Sequence, residues 1–369
     1  MSGNFIRIEM LPALHGDCLY VEYGDAARTR RMMIDGGPIG AFNALQSRLD
    51  ALPAADRKFE LIVLSHVDTD HIEGMVKLFA TPKPWPFEVR DVWFNGWRHL
   101  DGNDGLLGGR QGDFFSALLA HRLDAGRWNG AFGGDSVVVR DAGPLPAHAL
   151  DGDMKLTLLS PTPAKLAKMR EAWRKDIGDA ITPGNLEAAW AVLSKQKKYL
   201  PKDGLLGSTP TLEALLQNQS NPDNAAANGS SIAFLAEYGG KSCLFLADAH
   251  PDAVCASLKR LLKQRGLERL FVDAVKISHH GSKGNTTDQL MALIESPKFL
   301  FSTNGAQFHH PDREAVQRVI GRSMRTKPRL YFNYKTQYNQ EWAAPELQQE
   351  LGYSTEYNGD ESKGMVVEV

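Results

Sequence analysis

Residues 61–74 read LIVLSHVDTDHIEG, and the fold turns on them. Leu61 to Leu64 form an unbroken apolar run behind the charged Arg57, Lys58 and Glu60, which predicts a strand covered on both faces. Where that run stops, His66, Asp68, Asp70 and His71 follow within six residues, and 72–80 carries the spacing of a helix. So dense a set of imidazoles and carboxylates can converge only if the backbone turns at the strand end. Its nitrogen and oxygen donors suit zinc or manganese. The plainer alternative is a polar strand end whose Asp70 caps the following helix. Taken alone, the cluster is compatible with one metal ion or two.

Working outward, three more predicted strand ends carry the same residue types. The strand over 31–35 ends in Asp35-Gly36-Gly37, where glycine permits a tight turn and a close approach of backbone to the centre. The run CLFLA ends at Asp248, which by itself reads equally as a helix-capping aspartate, and AVKIS ends at His279 and His280. Ligand-type residues at several strand ends favour one shared site at an edge of the sheets, and with it the two-ion reading.

The remaining pattern is consistent with that. Strands are predicted over 5–10 and 18–23, a helix over 41–52, and a hairpin of SSIAFLAEY and KSCLFLAD about Gly239-Gly240. Then come helix 251–264, strand 271–277, helix 287–294, strand 299–302, helix 313–320 and a last strand over 364–369. Hairpins followed by strands alternating with helices predict an α+β fold, an αββα sandwich of two facing sheets with helices outside. Residues 1–369 read as a single domain. Within it, 100–224 reads as a mainly helical insertion or lid, with helices over 164–175, 186–199 and 211–217 and strand signals only over 136–140 and 155–159.

Composition excludes some classes of function. The balance of 42 Lys+Arg against 44 Asp+Glu argues against a whole-protein electrostatic clamp on nucleic acid, though not against a local basic patch. No apolar run approaches the ~20 residues needed to cross a bilayer, and MSGNFIRIEM lacks the apolar core of a secretion signal. The expectation is a soluble, cytoplasmic protein without a membrane partner. Cys18, Cys243 and Cys255 are scattered and lack CxxC spacing, which predicts buried thiols rather than a disulfide framework or a thiolate zinc site.

The order IDGG, SHVDTDHIEGM, NGSSIAFLAEYGGKSCLFLADAH, KISHHGSKGN and STNGAQFHHP resembles the metallo-β-lactamase superfamily. More narrowly, it is similar to the branch holding the soluble domain of ComEC-type DNA-uptake competence proteins and the phosphorylcholine esterases. The likeness spans most of residues 1–320 outside the insertion. It implies a metal-dependent hydrolase with two divalent metal ions, Zn or Mn. His66 and Asp68 would hold the first ion, Asp70, His71 and one of His279 and His280 the second, and Asp248 would bridge them. His280 is favoured because the family's last histidine is often followed, one residue on, by a small hydroxyl residue, here Ser282. His279 would then face the substrate. The chain departs from the commoner motif twice: Asp68 stands where a second histidine is usual, and Asn228, in AANGSS, where a third is. A carboxylate and an amide in place of two imidazoles harden and weaken the first site, which turns preference toward manganese or leaves that site partly empty.

Two such ions about 3.5–4 Å apart lower the pKa of a water between them toward ~7, so that a metal-bridging hydroxide forms near neutral pH. Asp70 would also accept a hydrogen bond from that water. His310, before Pro311, matches a further family feature and could bond a phosphoryl oxygen or protonate a leaving group. Asn228, His279, Lys283 and Asn285 are candidate substrate contacts, with His15 a candidate for the site mouth and His309 a weaker one. The leading expectation is a phosphodiesterase or nuclease acting on a phosphodiester, with nucleic acid as a candidate partner. Lys165, Lys168, Arg170, Arg174, Lys175, Lys195, Lys197, Lys198 and Lys202 could line a groove for a phosphate backbone, and Trp173 and Trp190 could stack on bases. A solvated helix face and core packing are the simpler roles for these residues. Two alternatives remain: a carboxylic ester, lactone or thioester hydrolase, since fold does not fix substrate, and a degenerate domain that binds metal or ligand without turnover.

Overall fold

The computed structural model describes residues 3–100, 110–177, 185–196, 198–199 and 225–369. The helix predicted over 211–217, together with Lys197 and Lys202, lies outside the described residues, as do the side chains of Arg174 and Lys175.

Parallel pairing gathers the ligand-bearing strand ends at one edge. A six-stranded sheet runs, in spatial order, Met365–Glu368, Phe5–Met10, Leu19–Gly24, Thr29–Ile34, Leu61–Val63 and Val92–Trp93. Its first strands pair antiparallel, but Thr29–Ile34 and Leu61–Val63 are parallel with Ile34 opposite Val63, so the residues that follow both strands emerge on the same side. An eight-stranded sheet runs Ser354–Tyr357, Arg329–Phe332, Lys298–Phe301, Ala274–Lys276, Lys241–Phe245, Ala233–Tyr238, Lys155–Ser160 and Ala147–Ala149. Here Phe245 pairs with Lys276 and Lys276 with Leu300 in parallel ladders. Asp248 and His279 are therefore equally far beyond paired positions and leave the sheet side by side.

Side-chain alternation builds the layers. Met32, Ile34, Leu61 and Val63 share one core cluster with Leu156, Phe234, Cys243 and Phe245 of the other sheet, whereas Met33, Ile62 and Leu64 pack among side chains of helices Phe42–Asp50 and Thr69–Ala80. Leu61–Val63 is thus buried on both faces, as its unbroken apolar run predicts. Helices Pro251–Arg265 and Arg313–Arg322 add Leu258, Leu261, Val316 and Val319 to the core on the far side of the second sheet. Burying each such side chain contributes roughly 1.5–3 kcal/mol. The result is the αββα sandwich. Two glycines bring helix Thr69–Ala80 against the end of Thr29–Ile34: a Cβ on Gly74 would lie 1.9 Å from Gly36 O, and one on Gly36 would lie 2.4 Å from Met75 N.

The region predicted as an insertion is only partly outside the sandwich. Strand Lys155–Ser160 pairs antiparallel with Ala233–Tyr238 and belongs to the second sheet. Residues 136–140 form no strand; Val137 instead exchanges hydrogen bonds with the Asn95 amide while Val137 and Val139 enter the core. Helix Arg110–Arg122 was hidden behind a Gly-rich start, and it places Phe114, Phe115 and Leu118 beside Phe79 and Trp173. The helix predicted over 186–199 ends at Leu193. Strands Arg329–Phe332 and Ser354–Tyr357, too short to stand out in the sequence, extend the second sheet. All three cysteines are buried and unpaired. Among the described residues no helix is long and apolar enough to cross a membrane.

Candidate metal centre

Just past the strand ends, imidazoles and carboxylates crowd into one buried space. Asp248 Oδ2 lies 3.4 Å from His71 Nε2, 3.7 Å from His280 Nε2, 3.7 Å from His279 Nε2 and 3.9 Å from His66 Nε2. Asp70 Oδ2 is 3.5 Å from His280 Nε2 and 3.7 Å from His71 Nε2, and Asp68 Oδ2 is 3.5 Å from His66 Nε2. The helix-cap reading of these carboxylates fails. Helix Thr69–Ala80 takes Asp68 as its N-cap residue without a side-chain capping bond, and helix Pro251–Arg265 is entered from His250 rather than Asp248.

Each imidazole is held by its other nitrogen. His71 Nδ1 donates to Asp35 Oδ2 at 2.9 Å, His280 Nδ1 to Ser302 O at 2.8 Å, and His279 Nδ1 to Asn285 Oδ1 at 3.0 Å. His66 Nδ1 lies 2.9 Å from Ser65 Oγ, whose own hydrogen goes to Asp35 Oδ2 at 2.7 Å. With Nδ1 so engaged, the nitrogen of each ring left to ligate is Nε2, and it is aimed inward. Buried polar atoms are normally hydrogen-bonded, yet His66 Nε2, His71 Nε2, His280 Nε2 and Asp248 Oδ1 have no such partner. Held but partnerless nitrogen and carboxylate donors are the donor set a divalent cation takes, and among the described residues His66, His71 and Asp248, and likewise Asp70, His71 and His280, can bring one atom each within 4.8 Å of one another.

Electrostatics agree. Burial alone would suppress protonation of His71 and His280, but Asp248, Asp70 and Asp35 hold His71 well above the usual histidine range, and Asp248 and Asp17 help push His280 up to about 10. Burial likewise opposes charge on Asp70 and Asp248, and the neighbouring imidazoles nevertheless keep both well below the ordinary carboxylate range. Asp68 is raised, because burial outweighs the help of His66. The cluster demands positive charge at its middle. An αββα sandwich with a His/Asp cluster at one sheet edge is the arrangement that the sequence resemblance implies.

No family model matches the chain. It is 26% identical over 105 residues to ComE operon protein 3 of Bacillus subtilis (strain 168), a match covering 28% of this chain and 13% of that protein. Among solved structures it is similar to the metallo-β-lactamase fold protein YhfI from Bacillus subtilis, with a TM-score of 0.41 and 10% identity over 99% of this chain and 100% of that one. It is also similar to Zn(2+)-bound PqqB from Methylobacterium extorquens, with a TM-score of 0.38 and 10% identity over 98% of this chain and 99% of that one.

Around this centre, some expected contacts are placed differently. Asn285 is buried and its amide is committed: Oδ1 accepts from His279 and Nδ2 donates to Asp248 O and Ala249 O, so it positions ligand-type residues instead of facing substrate. Lys283 Nζ lies on the surface 3.3 Å from Glu314 Oε1. His279 does more than face the mouth, since its Nε2 joins the other imidazoles at Asp248. Asn228 is buried in the short helix Ala225–Gly229 with Oδ1 unpartnered, and Ile232 N just beyond it donates to Ser65 O. His310 stands 5.5 Å, ring to ring, from His279. Burial and the neighbouring His279 and His280 push it down to about 4, so it is neutral near pH 7 and suited to a hydrogen bond rather than to delivering a proton. His15 has its ring edge-on to that of Phe308 at 6.3 Å; His309 stacks on Tyr338.

Of the predicted groove's described members, Lys168 and Lys195 are exposed, while three others are engaged. Lys165 Nζ lies 2.8 Å from Asp252 Oδ2, and Lys198 Nζ lies 2.7 Å from the buried carboxylate of Glu73. Arg170 lies over the Trp97 ring. Trp173 is core, and Trp190 packs against His121 and Arg122.

Sequence reading missed the pair Asp17 and Lys276, both buried, with Nζ 2.6 Å from Asp17 Oδ2. Asp17 Oδ1 lies 3.5 Å from His280 Nδ1. Lys276 keeps Asp17 ionised against its burial. The signal was a lone lysine inside the apolar run AVKI, since a charge buried there needs a partner.

Proposed function

We propose that the chain is a metal-dependent hydrolase that cleaves phosphodiesters. In this reading His66, Asp68, Asp70, His71, Asp248, His279 and His280 would hold two divalent ions. What carries it is the set of buried Nε2 atoms, each fixed through Nδ1 and each without a partner of its own. Bound there, the ions would supply an activated water near neutral pH and polarise a phosphoryl oxygen, which makes the phosphorus more electrophilic. The protein's own groups do the rest. Asp35, Ser65, Ser302 O and Asn285 hold the imidazole tautomers, Asp70 accepts a hydrogen bond from the attacking water, and neutral His310 offers a hydrogen bond to an ester oxygen. Asp68 adds a hard oxygen donor, which makes manganese the better match and zinc the alternative.

Because Lys165, Lys198 and Lys283 are each engaged by a carboxylate, a short phosphodiester suits the site better than a long nucleic-acid strand. The same pairing supports a second reading, an uncharged carboxylic ester, lactone or thioester. The test is to strip the protein of metal, titrate Mn²⁺ or Zn²⁺ calorimetrically, and assay bis-p-nitrophenyl phosphate, a lactone and a thioester. Two ions per chain with turnover of the phosphodiester are expected, and Asp248→Asn should lose both while its circular dichroism is unchanged. Turnover of the lactone or thioester alone would install the second reading. Metal below one ion per chain with no turnover on any of the three would leave a non-catalytic binding domain.

A further inference from the structure

A single exposed apolar side chain is common on a protein surface, and what gives one meaning is its place beside a site. Among the described residues the exposed large hydrophobics are Leu267, Phe271, Phe308 and Val366, and of these Phe308 shares a loop with a residue of the centre, His310. It is 41% exposed. Its ring lies near-parallel to that of His310, at 27° with centroids 6.1 Å apart, an offset that leaves much of its face open. His15 stands edge-on to it at 74°. From Phe308 the path inward is short: His310 is 5.5 Å from His279, whose Nε2 is 3.7 Å from Asp248 Oδ2.

The backbone holds the ring out. His309 N donates to Gly305 O at 3.1 Å, Ala306 N to Asn304 Oδ1 at 3.0 Å, and Asn304 N to Leu14 O at 2.8 Å, which ties this loop to the one bearing His15. Gly305 has φ +68, and a Cβ there would strike the Tyr338 ring at 2.5 Å, so the start of this loop is packed closely against Tyr338. A rigid, open aromatic face next to two imidazoles and one step from the reacting centre is a stacking platform prepared before ligand arrives.

We propose that Phe308 is a specificity-determining residue that stacks on a planar aromatic group, a nucleobase, carried by the ester seated at the metal centre. This rests on the phosphodiesterase reading and narrows it to substrates bearing a nucleoside. The test compares two esters with the same leaving group, the p-nitrophenyl esters of thymidine 5′-phosphate and of methyl phosphate, in the wild type and in Phe308→Ala, Phe308→Leu and Phe308→Trp. In parallel, calorimetry measures binding of thymidine 5′-phosphate and of methyl phosphate. Stacking is worth ~1–3 kcal/mol per base, so the ratio of kcat/KM for the nucleoside ester to that for the methyl ester should fall about 5- to 150-fold in Phe308→Ala. It should fall nearly as far in Phe308→Leu and be kept in Phe308→Trp, with the same pattern in the ratio of binding constants. An unchanged ratio, an equal loss on both esters, or full retention by leucine overturns the proposal while leaving the hydrolase reading standing. If the wild type hydrolyses neither ester, that reading fails separately and the calorimetric ratios decide. A preference for thymidine 5′-phosphate that vanishes in Phe308→Ala upholds stacking, and no preference in the wild type ends it.

Discussion

Asp35→Asn is the sharpest probe of the centre, because one atom exchange reaches two imidazoles at once. The Asp35 carboxylate accepts from Ser65 N at 2.7 Å through Oδ1, and from Ser65 Oγ at 2.7 Å and His71 Nδ1 at 2.9 Å through Oδ2. In the asparagine variant Oδ1 still serves the Ser65 amide, so the amide nitrogen must replace Oδ2. It then presents a hydrogen to His71 Nδ1, which drives that ring to the tautomer protonated on Nε2, the nitrogen aimed at the centre. Ser65 Oγ loses its acceptor as well and is free to donate to His66 Nδ1, turning the second ring the same way. Removing a partner that orients a ligating histidine typically lowers metal affinity 10–100-fold, about 1.4–2.8 kcal/mol, and with two rings turned the upper end is expected. The fold should change by no more than about 1–2 kcal/mol, since the buried amide keeps its bond. Calorimetric titration of Mn²⁺ and Zn²⁺ beside a urea melt of the metal-free protein separates the two effects. Metal affinity within threefold of wild type in a folded Asp35→Asn protein would refute the tautomer argument.

His280→Ala should deplete bound metal more than His279→Ala, because His280 is fully buried between Asp70 and Asp248 whereas the His279 side chain is 22% exposed; elemental analysis giving the reverse order would exchange their roles. Chelation should leave the protein folded, with a cooperative melt whose midpoint rises with added Mn²⁺ or Zn²⁺ in proportion to the logarithm of concentration, and unfolding by chelator alone would contradict this. His99 is pushed down to about 3 by burial and by Arg98, so between the unfolded value near 6.5 and about 3 the unfolded chain binds a proton that the folded one refuses, and stability falls as pH falls. From pH 7 to pH 5 the His99 share amounts to about 2 kcal/mol, so the loss of stability read from urea midpoints should be smaller by about that amount in His99→Asn than in the wild type.

The candidate cluster was legible because it follows a rule of types: histidine and aspartate placed where apolar strands stop. Asp35, His66, His71, Asp248 and His280 all sit where parallel ladders end, and the strand boundaries that put them there could be read from apolar runs alone. Direction was not legible. Asn285 and Lys283 follow the histidine pair closely, yet one turns inward to hold His279 and the other turns out to Glu314. His279 and His280 both have left-handed backbone, φ 48 and φ 55, and no periodicity in a sequence announces that. The Asp17–Lys276 pair joins residues from opposite ends of the chain, so only the unexplained lysine in an apolar strand hinted at it. Lys165 and Lys198 looked like a cationic groove because sequence shows charge without showing the carboxylate across from it.

Backbone strain gathers where these groups meet. Leu14, Asp35, Ala247, His279, His280 and His309, none of them glycine, all adopt positive φ in the loops around the centre. Such conformations are unfavourable by roughly 1–3 kcal/mol each and persist only where surrounding structure dictates them. Here the dictating structure is the pair of sheets: Asp35 is held between Ser65 and His71, Ala247 O takes the His279 amide at 2.9 Å, and His280 is fixed on Ser302 O at the end of the next strand. Every hold on an imidazole is a protein atom. The sandwich itself therefore sets the donor geometry, and a cation arriving there meets nitrogen lone pairs already aimed, with the strain of aiming them borne by the folding of the core.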